Sequence, residues 1–200
     1  MQAPSIIPEN NNGASSDNVH DVTTSSIPDA IALFKAAKQK LLDVNNWHQL
    51  CGNSSAVFQL TDEKGNPVHR SARLGDHFQI DIPGPGNATG EGKDWVQIEA
   101  IEHSSEGDKE VIAIRVRPTD NPLNAKKDVA HFFTDEASST FSVTREGNKI
   151  IAAVNGRNEK PNTKADKLID KVRNTVVAAG AIIGFNKPQW KSLVKGLLEE

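Results

Sequence analysis

The chain has 200 residues, enough for one domain with a sizeable core, and a formal net charge of -3. That balance gives no long-range attraction for nucleic acid or an anionic membrane, and with few aromatics and no Tyr, stacked-base recognition is not expected. The only cysteine, Cys51, excludes an intramolecular disulfide and fits a reducing compartment, so a cytoplasmic protein is expected.

Met1 to about Ser25 is rich in Asn, Ser, Asp and Pro, and shows neither an apolar period nor the charged and apolar regions of a signal peptide. It is expected to be a flexible tail, with 26–200 as a single α+β domain. Ser26 with Asp29 reads as a capping box. Ala30, Phe34, Ala37, Leu41 and Val44 then recur at spacings of four and three, which predicts a helix from about Ile27 to Asp43, with Trp47 and Leu50 anchoring its exit.

Strand patterns occupy the middle. Ser55 to Thr61 is one, Pro67 to Ala72 a weaker one. Asp76 to Ile82 alternates, with Phe78, Ile80 and Ile82 on one face and His77, Gln79 and Asp81 on the other. Asp94–His103 and Glu110–Arg117 are expected to form a hairpin joined by Ser104–Lys109, with Val96, Ile98 and Ala100 facing the core beside Ile112, Ile114 and Val116. A second pair, Ser138–Arg145 and Lys149–Val154, turns at Glu146-Gly147-Asn148. Arg157, Asn158 and Glu159 are expected to close a turn beyond it. Thr163 with Asp166 caps a helix carrying Leu168, Ile169, Val172 and Val176. Asn186 with Gln189 restarts a short helix bearing Trp190, Leu193, Val194, Leu197 and Leu198. The longest apolar run, Val176 to Phe185, is about ten residues, too short to span a bilayer.

This order, one helix, six or seven antiparallel strands and a C-terminal helical layer, resembles the START and birch-pollen-allergen helix-grip superfamily over about Ile27 to Leu198. The resemblance implies a curved antiparallel sheet packed against a C-terminal helix, enclosing an apolar cavity that takes lipids or other hydrophobic ligands. The chain departs from the pattern before the first helix, where no strand is evident, and at Gly184, which breaks the terminal helix. The resemblance carries no functional residue over.

Pro83 to Lys93 invites a phosphate-loop reading and fails it. Five residues separate Gly86 from Gly92-Lys93 where four are needed, and Asp94 stands where a Ser or Thr would bind magnesium. No cofactor or metal signature is present. His48 and Cys51 sit three apart, as a base and a thiol would, but sequence proximity is weak evidence for a nucleophile. The predicted hairpin offers a sharper set. If Ile98 opposes Ile114, then Gln97 opposes Arg115 and Trp95 opposes Arg117, with Glu99 diagonal to Arg115. His77 shares that face if its strand is adjacent. Trp95, Gln97, Glu99, Arg115, Arg117 and His77 are therefore the candidate ligand-binding residues, against the reading of an ordinary solvated sheet face. Ser138, Thr140, Ser142 and Thr144 form a further polar face, expected to be solvated.

The leading functional expectation is non-catalytic binding of a small hydrophobic or amphipathic ligand in a cavity between sheet and C-terminal helix. Phe78, Ile80, Val96, Ile98, Ile114, Phe141, Val172 and Val176 are its candidate lining. The alternatives are an acid–base enzyme using His131, Asp135 and Glu136, and a homodimer formed through exposed sheet or the Trp190 helix.

Overall fold

The computed structural model describes residues 3–52, 56–81, 91–124, 128–162 and 188–199. The helix expected over Thr163–Val176, its break at Gly184 and most of the Pro83–Lys93 segment lie outside these residues. Seven strands form one antiparallel, curved, open sheet in the order β1-β7-β6-β5-β4-β3-β2. They are β1 (Ala14–Thr23), β2 (Val57–Thr61), β3 (His77–Asp81), β4 (Asp94–Glu106), β5 (Lys109–Pro118), β6 (Ser138–Glu146) and β7 (Lys149–Glu159). Helix α1 (Ile27–Leu42) follows β1, a 3-10 turn (Val44–Asn46) leads into α2 (Trp47–Cys51), and α3 spans 188–198. This is a helix-grip-like order, a sheet with its described helices α1, α2 and α3 contributing to one core on one face.

The local chemistry of α1 explains its limits. Ser26 Oγ accepts from the Asp29 N–H at 3.2 Å and donates to Asp29 Oδ2 at 2.6 Å, and Pro28 occupies the first turn, where a missing N–H costs nothing. Ala30, Phe34, Ala37 and Leu41 are buried along one stripe. At the far end the indole Nε1–H of Trp47 donates to the Lys40 and Leu41 carbonyls, both at 3.2 Å. It thereby satisfies two acceptors that a helix end leaves open. The Trp47 ring is fully buried against Phe58, Phe78 and Phe141, so it joins helix exit to core.

Helix α3 lays Leu193, Val194, Leu197 and Leu198 into the same core. Lys40 Nζ donates to the carbonyls of Gly196 (3.1 Å) and Glu199 (2.7 Å), placing a cation at the negative end of the helix. A Cβ at Gly196 would lie 2.7 Å from the Leu50 carbonyl oxygen, so glycine allows α3 to close on α2. Gln189 Oε1 accepts from the Ala56 N–H at 2.9 Å, while Asn186, with which a capping box was expected, lies outside the described residues.

The N-terminal segment departs most from expectation. Residues 14–23, read as part of a flexible tail, form β1, which pairs with β7 from Ala14↔Glu159 to Thr23↔Lys149. An edge strand needs only one apolar face and one partner; here just Asn18, His20 and Val22 are buried or half-buried within Asn18–Val22. Its strand character comes from β7, far away in sequence. Residues before it run as a strap over the outer face of the sheet. Ser5 Oγ and the Ile6 N–H donate to Glu102 Oε2 at 3.0 and 3.2 Å, and Arg115 Nη1 donates to the Ile6 carbonyl at 2.7 Å. The Asn11 and Asn12 N–H groups donate to Asn158 Oδ1. The strap thus passes Glu102, whose strand partner Ala113 is fully buried on that face.

Other expectations are corrected by long-range pairing. The β4–β5 register is Gln97↔Arg117 and Ile98↔Val116, then a bulge at Glu99, then Ala100↔Arg115 and Ile101↔Ile114. Both strands extend to a tight Gly107-Asp108 turn with Gly107 at φ +60°, so the expected loop and the Ile98–Ile114 pairing do not occur. The bulge shifts parity, so Ile101 packs on the core in place of Ala100. Strand β7 continues through Arg157 and Glu159 where a turn was expected, because β1 pairs with it; Arg157 forms an ion pair with Asp17 at 2.8 Å. The weaker strand at Pro67–Ala72 reduces to one bridge, Thr61↔Pro67, since proline offers no ladder donor. Ser138, Thr140, Ser142 and Thr144 are buried rather than solvated.

Candidate functional site

A small cavity of about 30 Å³ lies between the inner face of the sheet and the start of α3. The sheet contributes Phe78, Ile80, Val96, Val116, Ser139 and Phe141. These positions alternate along β3 to β6, and the pleat turns them to the same side. Four of them, Phe78, Ile80, Val96 and Phe141, are among the residues expected to line a cavity. Ile98 and Ile114 are buried in the core nearby, and Val172 and Val176 lie outside the described residues. Helix α3 adds Gln189 and Trp190. The Trp190 ring packs edge-on against Phe141 (5.2 Å) and tilted against Phe58 (6.1 Å).

The third wall is the segment His131-Phe132-Phe133, between β5 and β6. It is held from outside: the Asn162 N–H donates to the Phe132 carbonyl at 2.8 Å, and Asn162 Nδ2 donates to the His131 carbonyl at 3.1 Å. The His131 ring stacks on Phe132 with centroids 4.2 Å apart. Its Nδ1 accepts from the Phe133 N–H at 3.0 Å, which leaves the ring proton on Nε2. Burial pushes the imidazole pKa down to about 3, so the ring is neutral at physiological pH. No hydrogen bond among the described residues engages Nε2. None of the described lining residues carries a formal charge at neutral pH.

This separates His131 from the carboxylates with which an acid–base role was considered. Asp135 and Glu136 are exposed while His131 is buried. Their backbone carbonyls accept from Arg117 Nη1, at 2.8 and 3.2 Å. Nor is Cys51 an activated nucleophile. Burial pushes its thiol up to about 12, the opposite of what a thiolate needs, and the neighbouring His48 Nδ1 is engaged with the Asn45 carbonyl at 3.0 Å. Among the described residues no group of three or more His, Cys, Asp or Glu is placed to hold a metal ion, and no helix is long and apolar enough to cross a membrane.

The candidate residues of the outer face divide into two groups. Glu99, at the bulge, sits between two guanidinium groups. Its carboxylate is 2.6 Å from Arg115 Nε and 2.7 Å from Arg117 Nε. The first contact is an ion pair without an aligned hydrogen bond. The network ties the strap, through the Ile6 carbonyl, to the loop at Asp135–Glu136. Trp95, His77 and Gln97 lie nearer the β2 edge, in the pairs Gln79↔Trp95 and His77↔Gln97. Trp95 and His77 are buried, Gln97 half-buried. Among the described residues Trp95 Nε1 and His77 Nδ1 have no hydrogen-bond partner, and burial lowers the His77 pKa.

No family model and no curated protein matches the chain. Solved structures do. A hypothetical protein from Helicobacter pylori is 14% identical over 99% of this chain and 94% of its own, with a TM-score of 0.49. Norcoclaurine synthase from Thalictrum flavum, in complex with dopamine and hydroxybenzaldehyde, is 9% identical over 100% and 98%, at 0.39. A START superfamily protein from Mycobacterium smegmatis is 12% identical over 92% and 99%, at 0.37. The helix-grip-like fold stands on the strand order and element sequence of the chain itself, and nothing about ligand or activity follows from likenesses at this level.

Proposed function

We propose that the protein binds a small hydrophobic or amphipathic molecule, without catalysis, between the sheet and α3. The observation that carries this reading is an aromatic-lined cavity holding a neutral imidazole with one ring nitrogen unengaged. Apolar walls with a few placed polar groups are what a small-molecule site requires. The cavity has room for about one water, so an organic ligand enters by displacing a wall. The half-buried Trp190 side chain is the wall element we assign to that movement: it belongs to α3 rather than to the sheet and packs through ring contacts with Phe58 and Phe141. The neutral His131, the exposed Asp135 and Glu136 and the un-ionised Cys51 all weigh against acid–base or nucleophilic chemistry.

Native mass spectrometry of the protein purified from its own host tests this. One apolar small molecule per chain is expected, with the adduct weakened in Trp190→Ala. A bare chain, with no small molecule recovered by organic extraction of the same preparation, refutes it. A second reading, of a small polar ligand on the outer face, is favoured by the buried and unpartnered Trp95 Nε1 and His77 Nδ1, a donor and an acceptor on adjacent strands. In that case His77→Ala abolishes binding of the recovered molecule and Trp190→Ala does not.

A further inference from the structure

We propose that the group this cavity recognises is an uncharged hydrogen-bond acceptor, the carbonyl of a ketone, ester or amide on an apolar body, taken by His131 Nε2–H. This rests on the cavity reading above and narrows it to a ligand class. The Phe133 N–H occupies Nδ1, so the ring can present only a donor to the cavity. The tautomer is set by the backbone two residues along the chain, and the ring plane by the stack on Phe132, so the donor is oriented before any ligand arrives. The other polar groups of the lining are few. Gln189 Oε1 is already committed to the Ala56 N–H, and Ser139 offers a hydroxyl.

Charge decides between acceptors. A carboxylate entering this site loses its hydration and meets no cation among the described lining residues. Burying an unpaired carboxylate is far more costly than burying a carbonyl that gains one hydrogen bond. Protonating His131 to meet it is opposed by the same burial that holds the ring neutral. A purely hydrocarbon ligand suffers a smaller penalty, because it covers the Nε2–H without bonding it. The expected ranking is carbonyl, then hydrocarbon, then carboxylate.

Three probes of one skeleton test this: acetophenone, ethylbenzene and benzoate, titrated at pH 7 into the full chain and followed by NMR. All three displace the wall in the same way, so that cost cancels in the comparison. Acetophenone is expected to bind about tenfold more tightly than ethylbenzene, with benzoate weakest. In His131→Phe the ratio of acetophenone to ethylbenzene affinity falls to about one. Should that variant misfold, nitrogen-15 histidine spectra of the unmodified protein decide: the His131 Nε2–H resonance shifts with acetophenone and not with ethylbenzene. Equal affinity for ketone and hydrocarbon, tightest binding of benzoate, or an unmoved Nε2–H resonance overturns the inference and leaves the cavity reading standing. Failure of all three probes to bind removes both.

Discussion

The buried neutral imidazole of His131 predicts a pH dependence that can be worked from the structure. Its pKa is about 3 in the folded chain, against 6.5 for an unperturbed histidine. Above 6.5 the ring is neutral in both states and contributes nothing to pH dependence. Below 6.5 the unfolded chain takes up a proton that the folded chain refuses. Stability is therefore lost as pH falls from about 6.5 towards 3, by about 1.4 kcal/mol per pH unit from this group. The perturbation is His131→Phe, which removes the titration at the cost of leaving the Phe133 N–H without its acceptor, about 1 to 3 kcal/mol. Urea unfolding at pH 7, 6, 5 and 4 is the assay, and the quantity to read is the slope against pH. Between pH 6 and 4 the unmodified protein should lose roughly 2 to 3 kcal/mol more than the variant. His77, also lowered by burial, and the carboxylates are common to both proteins and cancel. Parallel pH profiles would refute the reasoning, since they would mean that His131 reaches water or a counter-charge.

Two further outcomes are expected. A chain starting at Gly13 loses the strap's hydrogen bonds to Glu102, Arg115 and Asn158, and should be destabilised by about 1 to 3 kcal/mol, which calorimetry reads as a midpoint lower by ~2–4 °C per kcal/mol; an unchanged midpoint would show that the strap does not dock. Glu99→Gln leaves Arg115 and Arg117 facing each other without their shared carboxylate and should cost about 1 to 2 kcal/mol, discounted for partial exposure. If urea unfolding shows no loss at low salt, the network is not holding the bulge.

How much was legible follows from the range of the interactions involved. The limits of α1 are written in its sequence, because the Ser26–Asp29 box, Pro28 and the Ala30–Leu41 stripe act within a few residues of one another. The stripe of α3 and the inward faces of Phe78, Val96, Ile98, Ile112, Ile114 and Phe141 are equally local, since the pleat alone alternates them. Four of the six sheet residues lining the cavity could be named on that basis. Ser139 could not, being a polar residue on an inner face, a position that periodicity assigns to the core.

The remaining features depend on partners far along the chain. The segment Ala14–Thr23 has too little apolar alternation to read as a strand, and only the open edge of β7 makes it one. The bulge at Glu99 moves the β4–β5 register and turns Ile101 inward, and no spacing within β4 announces it. The outer face reads as solvated until the strap is seen to cross it. His131 shows the division most clearly. Its residue type marks it as a group able to hold or move a proton. Its tautomer, its neutrality and its place in an aromatic wall are set by the Phe133 N–H, the Phe132 ring and the sheet beneath, because desolvation is a property of the packed surroundings and not of the residue.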